Sequence, residues 1–501
     1  MKKTFFRTIV LSAMILVGAG SVNAQNGYEV PPMDEKLVEL VNDVVDLQLS
    51  DPDKANKSFM KLMRKIRNDK EQLLSVGQFF FEKNNYAGAN QCAKRIYEVA
   101  PDYVPGLMFS GEVCLLRKDY GGAGQRYDEV LLQDPNNIPA LKRNAFVYKN
   151  VNPHVAVEML QRIKTLEPTN FEADKELGDI AYNMSEYKDA VKAYDSYYKN
   201  CPKDQLNIRS CENYLMSLFS VQQVEKVGQV VAELLPIAPN NLMIKRMKFF
   251  SSVENARNSI NYETEMAKVA EDMKYITDKE FSDSLYLYLD YAYAADYKKE
   301  MGDIPAAISF YESALQTDSS KLKGYTELAK LYRRNKEFDK AISTYSKFIN
   351  LAKDKAKLSD LLGYGQMYMY ASQQDSLPLD QKMKYIAEGD SVFMDVLQKE
   401  PDAYQAMLFR ARINIIDGTK PEDKPAELYK EALKMMEGRD NADNAKFEAC
   451  RYLAFRAIQL DLNEEAQTYV AIMLEIKPND RSTKQFDAYL KQYGGMKEET
   501  K

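Results

Sequence analysis

Between Phe171 and Pro202, apolar and small residues recur at helical spacing in two runs separated by a polar turn. Leu177, Gly178 and Ala181 fall on one stripe of the first run. Tyr187, Ala190, Val191, Tyr194 and Tyr197 fall on one stripe of the second, which predicts two short helices packed face to face. Gly178 and Ala190 are twelve residues apart, and Pro202 stands twelve further on. Small residues at the first two places let the helices approach closely. The proline cannot donate the backbone hydrogen bond that another helix interior needs, so it closes the unit. The same frame occurs at Gly77–Ala89–Pro101 and at Gly111–Ala123–Pro135, 34 residues apart, which is a repeat period. Asn144–Ala156–Pro168 and Leu215–Val227–Pro239 keep the phase with a bulkier first residue, so looser helix pairs are expected there.

Carried outward, the pattern divides the chain. Gln25 to Asp34 is expected to be irregular and mobile, because Pro31-Pro32 interrupts any helix. Helices are expected over Lys36–Leu49 and from Pro52 onward; this pair lacks the frame and reads as a cap or a divergent repeat, 25–69. An array follows over 70–239. Residues 240–281 carry helical patterns without the frame, with Met247, Phe249, Phe250 and Val253 on one helix and Met266, Val269, Met273 and Ile276 on the next. They read as a degenerate repeat and a bend. A second array, 282–480, returns with Ala295–Ala307 and Ala329–Ala341, whose closing prolines are replaced by Ser319 and Lys353. A longer unit with a loop around Ser372–Pro378 follows, where Pro401 stands twelve after Gly389. A unit from Ala403 to Met436 and an in-frame Ala454–Ala466–Pro478 complete it. Residues 481–501 read as a closing helix and a fraying tail.

A 34-residue helix pair with small residues at two phased places and a closing proline resembles the tetratricopeptide repeat family, over nearly all of the chain after residue 24. The resemblance implies an all-α fold: a right-handed α-solenoid of stacked antiparallel helix pairs, each too small to offset its ordering entropy alone. It also implies a superhelical groove, lined by the first helices, that holds a segment of another protein. By the same resemblance the groove positions are Glu172, Lys175, Asp179 and Tyr182 in the clearest repeat, and Lys323, Thr326, Lys330 and Arg333 in a later one. The later set is basic and suits an acidic segment or a chain-terminal carboxylate. It is not continued in adjacent repeats, so the family's carboxylate clamp is not complete here. The plainer reading of both sets is a solvated helix face. Two tyrosine clusters, Tyr286 to Tyr297 and Tyr364 to Tyr370, are expected to lie largely between helices, with one or two rings left for a partner.

Composition changes this picture in a few places. Lys2, Lys3 and Arg7 precede an apolar run from Ile9 to about Gly20, and Val22-Asn23-Ala24 fits a small-residue cleavage site, so 1–24 reads as an export signal. The Ala24-Gln25 junction resembles signals of Bacteroides-like bacteria, and the absence of a following cysteine argues against lipid attachment. Cleavage would take the net charge from −6 to −9 by removing those three cations, which disfavours nucleic acid as a partner. No other apolar run approaches the ~20 residues of a membrane span. The expected address is the periplasm, and the expected partners are envelope proteins or peptide segments. In that oxidising compartment Cys201 and Cys211 are spaced to bridge one inter-repeat turn; the competing reading, that all five cysteines are small apolar helix-face residues, is the stronger. His154 is the one histidine, and neither a nucleophile elbow, a phosphate loop nor a zinc motif is present. An enzyme is therefore not expected, and no cofactor or metal is implied. The leading function is a scaffold or adaptor in envelope or secretion-complex assembly. The alternative is a glycan-binding, outer-membrane-associated protein with similar helices, although such platforms use tryptophan and this chain has none.

Overall fold

A computed structural model describes residues 22–23, 27–375, 377–416 and 420–493. The expected export signal, apart from Val22–Asn23, lies outside the described residues, as do Ser376, 417–419 and the tail from Gly494. The chain forms two compact units, Met1–Ser251 and Ser252–Lys501.

In the first unit antiparallel pairs follow one another: α1 (Glu35–Asp46) with α2 (Pro52–Ile66), α3 (Lys70–Glu82) with α4 (Tyr86–Val99), and α5 (Val104–Leu116) with α6 (Tyr120–Gln133). Then come α7 (Ile138–Tyr148) with α8 (Pro153–Leu166), α9 (Phe171–Asn183) with α10 (Tyr187–Asn200), and α11 (Ile208–Ser220) with α12 (Val224–Leu234). The point of division falls within α13 (Leu242–Arg257). The second unit holds α14 (Tyr262–Asp272), the short α15 (Lys274–Thr277), α16 (Tyr288–Glu300) with α17 (Ile304–Thr317), and α18 (Leu322–Arg334) with α19 (Phe338–Ala352). It continues with α20 (Leu358–Ser372) and α21 (Leu379–Lys399), α22 (Tyr404–Ile413) and α23 (Asp423–Met435), α24 (Asp443–Gln459) and α25 (Asn463–Ile476), and α26 (Arg481–Tyr493).

Local chemistry explains the regular turns. Within a pair the first helix ends on a residue in the left-handed region, with φ of 61° at Asn84, 61° at Lys118, 62° at Ser185 and 63° at Lys336. The next residues start the second helix, and Asn85 and Asp119 each accept a hydrogen bond from the backbone N–H three residues on, both at 2.9 Å. In three pairs the small residue of the first helix sits beneath a ring that follows the small residue of the second helix by four. Gly111 lies under Tyr127, Gly178 under Tyr194, and Gly365 under Phe393. Gly178 was expected to meet its partner helix near Ala190; its nearest neighbour is one turn further on. Asn144, fully buried at the same place in α7, donates to Asp128 at 2.5 Å instead of packing as a small residue.

Three tyrosines at that ring position, Tyr127, Tyr194 and Tyr311 of α17, share a second regularity. Each hydroxyl donates to a carboxylate fifteen residues back on the first helix: Tyr127 to Glu112 at 3.2 Å, Tyr194 to Asp179 at 2.7 Å, and Tyr311 to Asp296 at 2.9 Å. The residue after each ring is also acidic and accepts from a tyrosine of the following repeat. Asp128 takes Tyr148 at 3.3 Å, Asp195 takes Tyr214, and Glu312 takes Tyr332. Burial first, and then the adjoining carboxylate, raise the pKa of Tyr127, Tyr194 and Tyr311 well above the usual phenol value, so they are neutral donors at any physiological pH.

One expectation is overturned at the start of the chain. Gly27–Asp34 is irregular, as expected, but it is not loose chain: it lies docked across first helices. The Tyr28 hydroxyl donates to Gln78 Oε1 at 3.0 Å, Ser75 Oγ to the Pro31 carbonyl at 2.6 Å, and Gln72 Nε2 to the Pro32 carbonyl at 3.0 Å. The Asp34 N–H returns a bond to Gln72 Oε1 at 2.8 Å. Tyr28 is buried, Val30 and Met33 pack on the same core, and Tyr28–Glu29 pairs antiparallel with Val22–Asn23. The physical reason is that Pro-Pro, while it forbids a helix, stiffens the chain in an extended form whose carbonyls are free to accept.

Candidate functional site

The first-helix face around α9 is concave. Glu172, Lys175, Asp179 and Tyr182 lie along it. Two adjoining clefts meet there. One of about 240 Å³ is lined by Lys142, Phe146, Glu172 and Lys175. The other, about 610 Å³, is lined by Lys149 of the α7–α8 corner, by Lys175, Glu176, Asp179 and Tyr182 of α9, and by Arg209, Ser210 and Asn213 of α11.

The four expected residues do different things. Glu172 is exposed and pairs with Lys142 of the preceding repeat at 2.9 Å. Asp179 is half-buried and structural: it accepts from Tyr194 at 2.7 Å and Ser210 at 3.1 Å, with the Lys175 ammonium 3.5 Å away. Lys175 also reaches Glu176 at 2.5 Å, and Lys149 reaches the same carboxylate at 3.4 Å. Burial alone would raise the Glu176 pKa, but the hydrogen bonds and charges of those two ammoniums more than offset it, leaving the pKa below the usual carboxylate value. Tyr182 stands edge-on to Tyr187, ring centroids 6.0 Å apart. Sequence reasoning missed Arg209, whose side chain is 82% exposed and only 3.4 Å-paired to Glu212. The signal was available, since Arg209 stands six before Leu215 as Glu172 stands six before Gly178.

No family model matches the chain. Over 348 residues it is 24% identical to a TPR repeat-containing protein of Methanocaldococcus jannaschii, a match covering 60% of this chain and 60% of that one. The chain therefore spans about 60% of that curated relative's length. Its helix pairs are of the tetratricopeptide type. Among solved structures, the array is similar to the C-terminal part of a TPR repeat-containing protein from Cytophaga hutchinsonii, with 19% identity, a TM-score of 0.43, and coverage of 55% of this chain and 98% of that one. It is also similar to a tetratricopeptide repeat protein from Parabacteroides merdae, with 15% identity, a TM-score of 0.33, and coverage of 52% and 98%.

In the second unit of the tetratricopeptide array the basic set is on α18 but does not stand as an open cationic face. Lys330 pairs with Glu327 of its own helix at 2.8 Å, and the Arg333 guanidinium lies 4.3 Å from the centroid of the Tyr370 ring. Thr326 turns its hydroxyl back to the Lys323 carbonyl at 2.9 Å. Lys323 is exposed, and none of the four lines the two clefts described. Of the tyrosine clusters, Tyr286, Tyr297 and Tyr368 are buried, and Tyr288, Tyr291, Tyr293, Tyr364 and Tyr370 are half-buried.

The bridge between Cys201 and Cys211 is not formed. Both are buried free thiols, one at the end of α10 and the other inside α11. Burial, with Cys201 next, pushes the Cys211 pKa up to about 12, so the reactive thiolate is scarce. Among the described residues no group of three or more His, Cys, Asp or Glu is placed to hold a metal ion, and no helix is long and apolar enough to cross a membrane.

Proposed function

We propose that the chain is a non-enzymatic adaptor that takes an extended segment of a partner protein along the α7, α9 and α11 face. The observation that supports it is the pair of adjoining clefts, which offers a track with apolar floor at Phe146 and Ile180, mixed charge, and Arg209 extended into solvent. A mixed, partly desolvated track suits a peptide more than a single small ligand. Lys323, Thr326, Lys330 and Arg333 on α18 are a separate and weaker contact of the second unit, in which Lys323 is an exposed cation. A photo-crosslinking residue at Tyr182 or Arg209, in cells of the native host, should trap one or a few defined proteins. The same residue at exposed Asp189 on α10 should trap none of them. Equal adducts at all three places, or a defined glycan retained without any protein adduct, would overturn the adaptor reading. Arg209→Ala with Tyr182→Ala should weaken the trapped partner about tenfold or more, on the scale of a small hot spot, with an unchanged circular-dichroism spectrum.

The proposed setting is the cell envelope, following export and cleavage after Ala24. The intact mass of protein from its host should correspond to a chain starting at Gln25. Retention of Met1–Ala24 or an added lipid would sink this part.

A further inference from the structure

Groove positions in the first repeats are unlike those of α9. Three residues before the packing position, where α9 has Lys175, α3 has Leu74, α5 has Met108 and α7 has Leu141. Their exposures are 0%, 1% and 2%. Apolar residues at a place that α9 fills with a lysine need a cover, and Leu74 and Met108 share their core with Tyr28, with Val30 and Met33 packed beside it, while Leu141 packs in the neighbouring core. The covering chain spans the same first helices from Pro139 at the start of α7, which lies against Gly27, to Gln72 and Ser75 on α3. Its polar contacts are those of a bound peptide. Two backbone carbonyls and one N–H are read by Gln72 and Ser75, and one aromatic side chain is seated with its hydroxyl on Gln78.

We propose that the α3–α5–α7 face is itself a peptide site, and that Gly27–Asp34 is a tethered ligand occupying it. The site takes an extended segment with an aromatic residue followed, three positions on, by Pro-Pro. The aromatic ring is buried in the core that also holds Leu74 and Met108, with its hydroxyl on Gln78. The prolines hold the chain extended and present carbonyls to Ser75 and Gln72 at little entropic cost. A partner bearing that chemistry competes with the tether. This inference stands on the packing of the N-terminal segment and not on the α9–α11 cleft, so either can fail without the other.

A tethered segment has an effective concentration on the order of millimolar. An untethered peptide of modest affinity should therefore bind the intact chain at least about tenfold more weakly than a chain whose tether has been released. The probe is a fluorescein-labelled peptide of residues 27–34, Gly-Tyr-Glu-Val-Pro-Pro-Met-Asp, followed by anisotropy. The receptor is the full chain with Tyr28→Ser, Pro31→Ser and Pro32→Ser, which removes the ring and the stiffness but leaves the face intact. The expected result is saturable binding to the released chain, at least tenfold weaker binding to the wild type, and loss of about tenfold on adding Gln72→Ala and Ser75→Ala. No binding to a folded released chain, equal binding to both chains, or equal binding of a scrambled peptide overturns the proposal. Loss of the cooperative thermal transition in the released chain overturns it too, because the segment would then be an integral part of the core. Hydrogen exchange on the wild type supplies an independent reading: the amides of Val30 and Asp34 should exchange faster than those of α3, as expected for a segment that leaves and returns.

Discussion

A Cβ placed on Gly178 would lie 2.5 Å from the edge of the Tyr194 ring, a separation that real side chains do not tolerate. Tyr194 is fully buried and its hydroxyl is bound to Asp179, so the ring has little freedom to withdraw. Gly178→Ala should cost roughly 1–3 kcal/mol through overpacking, although alanine is the better helix former. Gly121 in α6 is the control, since nothing lies within 4 Å of its added Cβ. Gly121→Ala should leave the denaturant midpoint unchanged or raise it, and a midpoint for Gly178→Ala that matches it would show that the glycine is not needed for the ring. The glycine was legible in the sequence as a packing residue. Its counterpart was not, because the twelve-residue interval to Ala190 marks the repeat phase, whereas contact is made where the side chain reaches, one turn later.

At the level of the helix, the tyrosine–carboxylate pairs tie each second helix back to its own first helix and forward to the next. Tyr311→Phe removes the bond to Asp296 while keeping the ring, and leaves that carboxylate with Lys299 at 2.6 Å. A loss of about 0.5–1.5 kcal/mol is expected, the usual net value of one such bond. In combination with Asp296→Asn the effects should fall short of additivity, measured as a double-mutant cycle in denaturant melts. Strict additivity would mean that the two groups do not interact in solution. The ladder was written in the sequence as Tyr127-Asp128, Tyr194-Asp195 and Tyr311-Glu312 at one repeat position. A reading guided by hydrophobic stripes counts those tyrosines as apolar and the acids as solvated, and so passes over it. Gly365 was hidden differently. It is separated from Gly389 by 24 residues, twice the usual interval, because α20 and α21 and the loop between them are longer. The interval search fails there while the contact with Phe393 is kept.

Across the first unit, helix pairing could be read from residue spacing, because it follows from local periodicity, whereas the groove positions came only with the family resemblance. The covered part of the groove could not be read at all, since it depends on long-range contacts of Gly27–Asp34 with residues as far on as Pro139. Even so, Leu74 and Met108 stand where α9 has Lys175, and both share a core with Tyr28. The docked segment also has a direction. It runs from Pro139 on α7 toward Gln72 on α3, against the order in which the repeats follow one another. The face is thus not a symmetric trough but a one-way track, with donors spaced for a chain of that polarity. A partner strand that continued the same track beyond α7 would lie in the neighbouring cleft with its carboxyl end nearest Lys142 and its amino end toward Arg209.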